Sequence, residues 1–318
     1  MVTHMKNTKK LAIIGIFVLI VIVAISVTIS VMPKEQPVIK IGYQALTVNL
    51  PLFTAYEKGY FGNVKIELVK FETTNQLIDA MLTNKIDATG IVALQPLLAV
   101  EAQSKDQFEI FAVNQQTPEK NIDKLVVKAD STIKTIADLK GKKLGIYPGS
   151  SQRAIAEIIV SKFMSASDVE IIELPPATQL GALQSGQVDA LLTLEPLGTL
   201  AEANGVGNII ENAPMSKYVL SDFTLGAAAV SEKFLKEKPG VAKKIISGFD
   251  KGINNMEKNR AVLTKYTSVT EPIAQKIGIG NIVMVNKANI NAIQQLADIY
   301  FAKAQLTAKV DVKDILLK

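Results

Sequence analysis

The sequence contains no cysteine and no tryptophan, and it has a single histidine, His4, and only two arginines, Arg153 and Arg260. Without cysteine, the chain can form no disulfide, no thiolate metal site, no cysteine nucleophile and no lipid anchor attached through a cysteine. It also lacks a Gly-x-Ser-x-Gly elbow, a Gly-Lys-Ser/Thr phosphate loop and a histidine-based metal cluster. We therefore expect a protein that is not an enzyme, with no catalytic residues, no bound metal and no cofactor.

The net charge of the chain is +5 at neutral pH, and part of that charge is local. Lys6, Lys9 and Lys10 precede a long apolar run, whereas basic and acidic residues are mixed through the rest. The sequence shows no basic stripe interleaved with aromatic residues, so nucleic acid is not an expected partner. Apolar residues make up 48% of the chain, which excludes general disorder.

Residues 11–32 contain no charge and read LAIIGIFVLIVIVAISVTISVM. At about 1.5 Å per residue, a helix of this length spans the hydrocarbon core of a bilayer. Because lysines precede the run, we expect residues 1–10 to be a cytoplasmic tail, residues 11–32 a transmembrane anchor and residues 33–37 a linker. A cleaved signal peptide is the alternative, with residues 28–30 as a weak cleavage signal. Both alternatives place residues 38–318 outside the cytoplasm, at the periplasmic or extracellular face.

Two segments of the exported part carry similar sequences. Residues 76–88 read QLIDAMLTNKIDA and residues 179–190 read QLGALQSGQVDA, and each ends in an apolar-Asp-Ala step. A proline that can open another helix follows each copy, Pro96 in the first and Pro196 in the second. The spacing of about one hundred residues is too long for a solenoid repeat. It indicates two similar α/β lobes with a cleft between them, which is where small ligands bind.

Strand-like and helix-like segments alternate along the exported part. Their order is that of parallel strands joined by helices, so the predicted fold class is α/β, each lobe being a mostly parallel sheet flanked by helices. We assign residues 38–124 and 225–318 to the first lobe and residues 125–224 to the second. The chain would then cross between the lobes near Leu125 and near residues 221–225, and these two crossings would form a hinge.

Short motifs follow one another in order along the exported part. They are IGY at 41–43, GYF at 59–61, ADLKGKK at 137–143, GS at 149–150, QSGQVDA at 184–190 and EP at 195–196. With these motifs, residues 38–260 resemble the substrate-binding proteins of ABC importers, in the group that binds nitrate, sulfonates, taurine and pyrimidine precursors of thiamine. The resemblance implies a two-lobed periplasmic-binding-protein fold of type II, a small solute held between the lobes, and an ABC permease with its ATPase as partners. Many bacterial members attach through a lipidated cysteine, which this chain lacks.

Ligands of open parallel sheets bind beyond the carboxyl ends of the strands, and five loops are available there. The candidate ligand-binding residues are Gln44, Leu46, Asn49, Gly90, Ile91, Val92, Gln115, Gly149, Ser150, Ser151, Gln152, Thr193 and Glu195, together with Asp222 near the second crossing. Gln44, Asn49 and Gln115 are uncharged donors and acceptors suited to fixing a small polar molecule. A purely solvated role is the alternative for such loop residues.

The segment Gly149-Ser150-Ser151, at the start of a predicted helix, is the most informative of these loops. Free amide groups and the helix dipole favour an anion there, and small residues let it approach. This suits a sulfonate, a carboxylate or a phosphate, and a serine N-cap after a tight turn is the alternative. Arg153 either reaches the ligand or pairs with Glu157 four residues further on.

Two acidic residues complete the candidates. Glu195 precedes a proline that starts a helix, so it either pairs with an amine of the ligand or is a helix-start carboxylate stabilised by the dipole. Asp222 either contacts ligand or belongs to the hinge. Together these expectations describe a solute receptor of an ABC importer for a small polar or anionic, sulfonate- or taurine-like solute. A binder of a thiamine pyrimidine precursor, or a ligand-sensing module working through a separate partner, is the alternative.

Overall fold

The computed structural model describes residues 37–318 of the chain. The predicted tail, the apolar segment and all but the last residue of the linker therefore lie outside the described residues. Within residues 37–318, no helix combines the length and the apolar character that crossing a bilayer requires. The anchor, the alternative cleaved signal and the localisation stay predictions.

The strands of the described residues form two separate sheets. The strands are β1 (Ile39–Tyr43), β2 (Ile66–Lys70), β3 (Ala88–Thr89), β4 (Val92–Ala93), β5 (Phe108–Gln116), β6 (Asp123–Lys128), β7 (Lys143–Ile146), β8 (Glu170–Glu173), β9 (Ala190–Leu194), β10 (Gly207–Asn212), β11 (Phe223–Ser231) and β12 (Ile282–Met284). The first sheet has the order β12-β5-β11-β3-β1-β2, with β4 paired to β11, and the second has the order β10-β6-β9-β7-β8. The prediction of an α/β fold with two sheets is confirmed.

Helices cover these sheets. They are α1 (Leu50–Glu57), α2 (Thr74–Leu82), α3 (Leu94–Gln103), α4 (Ser150–Val160), α5 (Pro176–Ser185), α6 (Leu197–Ala203), α7 (Pro214–Tyr218), α8 (Glu232–Glu237), α9 (Pro239–Asn255), α10 (Leu263–Tyr266), α11 (Glu271–Ala274) and α12 (Ile290–Ala302). Several begin with proline in the first turn, where its missing N–H costs nothing. The sequence pattern predicts mainly helix after Ser231, and β12 is a strand in that tail that the pattern does not reveal.

Both sheets are mixed rather than mostly parallel, and the strands that follow the two crossings cause this. β1 pairs in parallel with β2 and β3, and β7 pairs in parallel with β8 and β9. The strand that follows each crossing runs opposite to its neighbours in the sheet. Accordingly, β6 is antiparallel to β9 and β10, and β11 is antiparallel to β3, β4 and β5.

The Asp residue of each repeat copy fixes the start of a parallel strand pair. Oδ2 of Asp87 accepts a hydrogen bond of 2.9 Å from the backbone N–H of Lys40, at the start of β1. Oδ2 of Asp189 accepts the equivalent bond of 2.8 Å from the N–H of Lys143, at the start of β7. The two copies therefore perform the same structural task in the two sheets, which gives a physical reason for the repeated apolar-Asp-Ala step.

The chain passes between the two sheets twice. The chain leaves the first sheet after Gln116 and enters the second at Asp123, and it returns between Tyr218 and Phe223. The strand that contains Leu125 thus begins two residues before it, within the second sheet. The lobe boundaries proposed from the sequence stay a prediction.

Apolar side chains fasten the helices to the first sheet. The rings of Phe111 on β5 and Phe249 on α9 meet edge to face, with centroids 5.2 Å apart, and both side chains are buried. Burial of one such ring contributes ~2 kcal/mol relative to exposure. This packing holds the strand ends, and hence the loops that follow them, in fixed positions.

Candidate functional site

The predicted loops lie at one edge of each sheet. In the first sheet β1 is parallel to β3, and β3 and β5 are both antiparallel to β11, so these three strands end at the same edge. In the second sheet β7 is parallel to β9, so the loops after them also share an edge. The crossing that follows β5 starts from this edge of the first sheet. The structure therefore groups the candidate residues of each sheet where the topology predicts them.

Asn49 ties two of the first-sheet loops together. Its Nδ2 donates hydrogen bonds to the carbonyls of Gln44 at 3.0 Å and Ile91 at 3.2 Å, and its Oδ1 accepts the N–H of Ile91 at 2.6 Å. A Cβ placed on Gly90 would lie 2.2 Å from Oδ1 of Asn49, so only glycine fits there. Both hydrogens of the Asn49 amide are used within the protein. This side chain therefore positions the loops after β1 and β3.

The other first-sheet candidates near this point differ in exposure. Gln44 is half-buried, donates to the carbonyl of Glu72 at 3.3 Å and accepts from the hydroxyl of Thr74 at 2.8 Å. Leu46 is half-buried. Ile91 and Val92 are buried, each 2% exposed. Gln44 and Leu46 are thus the members of this group with side-chain surface open to solvent.

The side-chain amide of Gln115 is hydrogen-bonded at the start of α12. Its Nε2 donates to the carbonyl of Asn289 at 3.0 Å and to the hydroxyl of Thr224 at 3.2 Å, and its Oε1 accepts the N–H of Asn289 at 2.8 Å. Asn289 also donates to Oδ2 of Asp222 at 2.7 Å. Gln115 and Asp222 therefore belong to one network that joins β5, the second crossing and α12.

The start of α4 already holds an acidic side chain of the protein. The N–H of Gly149 donates to Oε2 of Glu173 at 3.2 Å, and Nε of Arg153 donates to Oε1 of Glu173 at 3.1 Å. Arg153 thus pairs with Glu173 across the turn and not with Glu157. Gly149 has a φ of +124°, a conformation that favours glycine.

Three amides at the start of α4 donate to nothing within residues 37–318. The N–H groups of Ser150, Ser151 and Gln152 make no hydrogen bond to backbone or side chain there. Ser150 is exposed, Gln152 is half-buried and Ser151 is 7% exposed. Helix starts of this kind bind anions, because the N–H groups and the dipole point at the same space.

Thr193 is buried near the end of β9, and its hydroxyl is hydrogen-bonded within the protein. Its hydroxyl donates to Oε1 of Gln179 at 2.6 Å, and Gln179 donates to the carbonyl of Leu174 at 3.1 Å. The hydroxyl of Tyr147 lies close by, is buried, and has no hydrogen-bond partner within the described residues. Burial raises the pKa of Tyr147, so this phenol stays protonated at neutral pH.

Glu195 has the geometry of a helix-start carboxylate. It is 1% exposed; its Oε2 accepts the N–H of Thr199 at 2.9 Å and its Oε1 accepts the Thr199 hydroxyl at 2.8 Å. Burial raises the pKa of Glu195, whereas the bonds from Thr199 and the nearby charge of Lys124 lower it. Its backbone N–H donates to the carbonyl of Ile122 at 2.8 Å, which ties the end of β9 to the first crossing.

Two further buried ionisable residues, Asp123 and Lys124, lie at the start of β6, where the first crossing ends. Asp123 is fully buried, and burial raises the pKa of its carboxyl group to about 6. Its Oδ2 accepts the N–H of Met215 at 2.8 Å, while Oδ1 has no partner within residues 37–318. Burial lowers the pKa of the neighbouring Lys124, and Glu195 opposes that shift.

Two polar residues of β5 and one glycine near the first crossing were not among the candidates from the sequence. Asn114 is fully buried with both side-chain polar atoms unpaired within the described residues, and Nε2 of Gln116 is unpaired as well. Strand alternation puts residues 114 and 116 on the face opposite to Gln115, and this pattern was the available signal. Gly278 lies in a distant part of the chain, so no local pattern points to it.

With its two mixed sheets, the chain has the fold of the periplasmic binding proteins of type II. The model of the NMT1-like family matches residues 32–259, and the chain belongs to this family. The chain is 26% identical over 297 residues to a putative aliphatic sulfonates-binding protein of Bacillus subtilis, covering 89% of this chain and 86% of that protein. It is 26% identical over 318 residues to the Escherichia coli protein of the same description, covering 97% and 96%.

Solved structures share the fold at lower sequence identity. The alkanesulfonate-binding protein SsuA from Xanthomonas axonopodis pv. citri, solved bound to MOPS, superposes with a TM-score of 0.72 at 21% identity, covering 89% of this chain and 99% of that one. A ligand-binding component of an ABC-type import system from Staphylococcus aureus gives 0.74 at 16% identity, covering 89% and 97%. The desulfurization enzyme DSZB gives 0.64 at 14% identity, covering 87% and 96%. The fold therefore serves binding proteins and at least one enzyme.

Proposed function

We propose that this chain is the extracytoplasmic solute-binding receptor of an ABC importer and that it binds a small sulfonate-type solute between its two sheets. The observation that carries the proposal is the group of three free amides at Ser150, Ser151 and Gln152, in a chain related to sulfonate-binding proteins. The solute's anionic group would accept from these amides, and the hydroxyls of Ser150 and Ser151 would add two donors.

The start of α4 suits an anion better than the start of α1, the helix in the corresponding place of the first sheet. Each helix follows the strand that pairs in parallel with a neighbour on both sides, β1 for α1 and β7 for α4. At the start of α1, the N–H of Leu50 donates to the carbonyl of Thr47, and Pro51 in the first turn has no N–H to offer. The start of α4 has Gly149 in place of a side chain, so its amides stay open. Of these two helices, α4 is therefore the one suited to an anion.

The charges around α4 favour a singly charged anion or a zwitterion. Arg153 is paired with Glu173, and Arg260 donates to Glu257 and to the carbonyl of Ile277. Neither arginine of the chain is thus available as a bidentate partner for a doubly charged group. Neutral amides and hydroxyls suit a sulfonate, whose single charge is spread over three oxygens.

The transport step would follow from a population shift. A solute that contacts both sheets stabilises a closed arrangement only as far as it binds that arrangement better than the open one. The closed protein would dock on a permease whose cytoplasmic ATPase drives import. The apolar segment 11–32 would keep the receptor at the membrane, with residues 38–318 at the periplasmic or extracellular face.

A thermal-shift screen of the full chain tests the proposal. The compounds are taurine, MOPS, short alkanesulfonates, nitrate, bicarbonate and a thiamine pyrimidine precursor. We expect sulfonates to raise the melting temperature of the chain and the double variant Ser150→Ala/Ser151→Ala to reduce that rise. The matched control is Ser165→Ala/Ser167→Ala, because these exposed serines bond only to each other. A response to the pyrimidine alone would replace the sulfonate proposal, and no response to any compound would overturn it.

A further inference from the structure

A loop from the C-terminal part of the chain, residues 277–281 between α11 and β12, lies where the two sheets meet. We call it the junction loop. Two of its side chains, Ile277 and Ile279, are buried at 1% and 2% exposure. Three hydrogen bonds hold it to the part of the chain that carries the first sheet: Thr47 Oγ1 to Gly278 O at 2.8 Å, Gln115 N to Asn281 O at 2.9 Å, and Arg260 Nη1 to Ile277 O at 2.8 Å.

Gly278 in this loop lies directly against the first crossing and against the end of the second sheet. A Cβ on Gly278 would be 2.5 Å from the carbonyl oxygen of Asn121 and 3.6 Å from Cγ of Glu195. The first distance is to a backbone atom, so a side chain there forces the backbone to move. The backbone of Gly278 does not have a positive φ, so alanine could adopt its conformation. What excludes a side chain at this position is the carbonyl oxygen of Asn121.

The two groups that Gly278 contacts are themselves fixed to each other. The N–H of Glu195 donates to the carbonyl of Ile122, the residue after Asn121, at 2.8 Å. The Glu195 carboxylate accepts two bonds from Thr199 at the start of α6. A displacement of Asn121 by a side chain at position 278 would therefore move the crossing together with the end of β9 and the start of α6.

We propose that Gly278 is the contact point that sets the spacing between the two sheets. The missing side chain lets the junction loop, which is fixed to the first sheet, support the second sheet at the crossing. Its effect on solute affinity rests on the proposed function, whereas its effect on the spacing does not. A methyl group at position 278 separates the sheets and makes any arrangement in which both contact one solute harder to reach.

Distance measurement between two spin labels on the full chain tests the spacing. The chain has no cysteine, so Asp79→Cys on α2 and Gln184→Cys on α5 provide the two labelling sites, and both positions are exposed. Pulsed electron paramagnetic resonance then reports the distance distribution without any solute. We expect Gly278→Ala to shift this distribution to longer distances relative to the otherwise unchanged chain. An unaltered distribution would overturn the proposal.

Two glycine controls separate this effect from loss of stability. In Gly240→Ala the new Cβ meets nothing within 4 Å, so neither melting temperature nor distance should change. In Gly252→Ala the new Cβ lies 2.1 Å from the carbonyl of Pro51, a contact between α9 and α1 within one sheet's layer. This variant should lower the melting temperature without lengthening the distance. If Gly252→Ala lengthens it as much as Gly278→Ala does, the contact at Gly278 has no special role.

A second variant keeps the test decisive if Gly278→Ala does not fold. Thr47→Val removes the hydrogen bond to the Gly278 carbonyl without adding volume at the contact, so the loop becomes loose and the distance distribution should broaden. A distribution of unchanged width would contradict the proposal.

Titration with MOPS measures the effect on solute affinity separately. We expect Gly278→Ala to bind MOPS about tenfold more weakly than the parent chain. If the distance shifts but neither protein binds MOPS or taurine, the proposed function fails and the inference about spacing stands.

Discussion

The N–H of Gly149 donates to Oε2 of Glu173 over 3.2 Å, so a carboxylate of the protein occupies the first donor at the start of α4. The same carboxylate holds Arg153 through Oε1 at 3.1 Å. Within residues 37–318, the helix start thereby keeps three neutral donors without a partner, and the Arg153 side chain beside them is paired with Glu173. Under the proposed function, this arrangement would favour a solute with a single negative charge, and a change at one residue, Glu173, alters it.

Glu173→Gln should strengthen sulfonate binding. The amide keeps an acceptor for Gly149, but it removes a negative charge next to the proposed anion site and frees Arg153. Because both side chains are more than a third exposed, solvent screens the effect, and we expect affinity for taurine or MOPS to rise only about threefold at low salt. Isothermal titration measures this. Glu170→Gln, an exposed change on the same strand, is the control, and an equal gain in both variants would contradict the explanation.

Ser150→Pro should remove one anion donor without breaking α4. Proline is tolerated at the first helical position, and the extended ψ of 146° at Gly149 suits the residue before a proline. We expect the ligand-free melting temperature to stay close to that of the parent chain and sulfonate affinity to fall about tenfold, as for the loss of one charge-assisted hydrogen bond. Comparison with Ser150→Ala separates the amide from the hydroxyl. If proline and alanine weaken binding equally, the amide of residue 150 is not a donor to the solute.

Asn49→Ala should destabilise the first sheet rather than alter solute chemistry. The change removes three hydrogen bonds and leaves two buried groups of Ile91 unpaired, so we expect a loss of about 3 kcal/mol in the free energy of unfolding. Urea denaturation measures the loss, with the exposed Asn204→Ala as control. A stability loss well below 1 kcal/mol, together with weakened binding, would indicate a ligand contact in place of the positioning role.

The stability of the chain should fall as pH rises through the titration of Asp123. The folded-state pKa of this carboxyl group is about 6, above its ordinary value of 3.8, so the folded chain binds the proton more tightly. Below about pH 4, protonated Asp123 makes its full contribution to the free energy of unfolding. This contribution, up to about 3 kcal/mol, is lost as the pH rises towards 6.

Asp123→Asn removes this contribution to the pH dependence, because the amide oxygen can still accept the N–H of Met215 without carrying a charge. Urea denaturation between pH 4 and 7 should therefore give a flatter stability profile for this variant than for the parent chain. The exposed change Asp79→Asn should leave the profile unaltered. A parallel profile for Asp123→Asn and the parent chain would show that Asp123 does not titrate in this range.

Much of the fold was predictable because its determinants are local or repeated. The repeat of residues 76–88 and 179–190 predicts two sheets, and the bonds of Asp87 and Asp189 explain why the Asp is present in both copies. Thr135 and Asp138 have the spacing of a capping box, and they form one at the start of a short helix. Helix starts marked by proline, such as that of α9, also follow from the sequence.

The site was less predictable, because it depends on contacts between distant segments. Gln115 looks like a loop residue in sequence, but β5 extends through it and its side chain meets Asn289, 174 positions later. Arg153 has Glu157 at helical spacing, yet Glu173 at the end of β8 provides the better geometry. Gly278 contacts Asn121 through a close approach of two loops, for which the sequence carries no periodic signal.

The most direct test of the proposed function is a crystal structure of the full chain with taurine or MOPS bound. We expect the sulfonate group to lie between the two sheets, with its oxygens about 3 Å from the backbone nitrogens of at least two of Ser150, Ser151 and Gln152. A sulfonate bound elsewhere, with these three amides left to water, would contradict it.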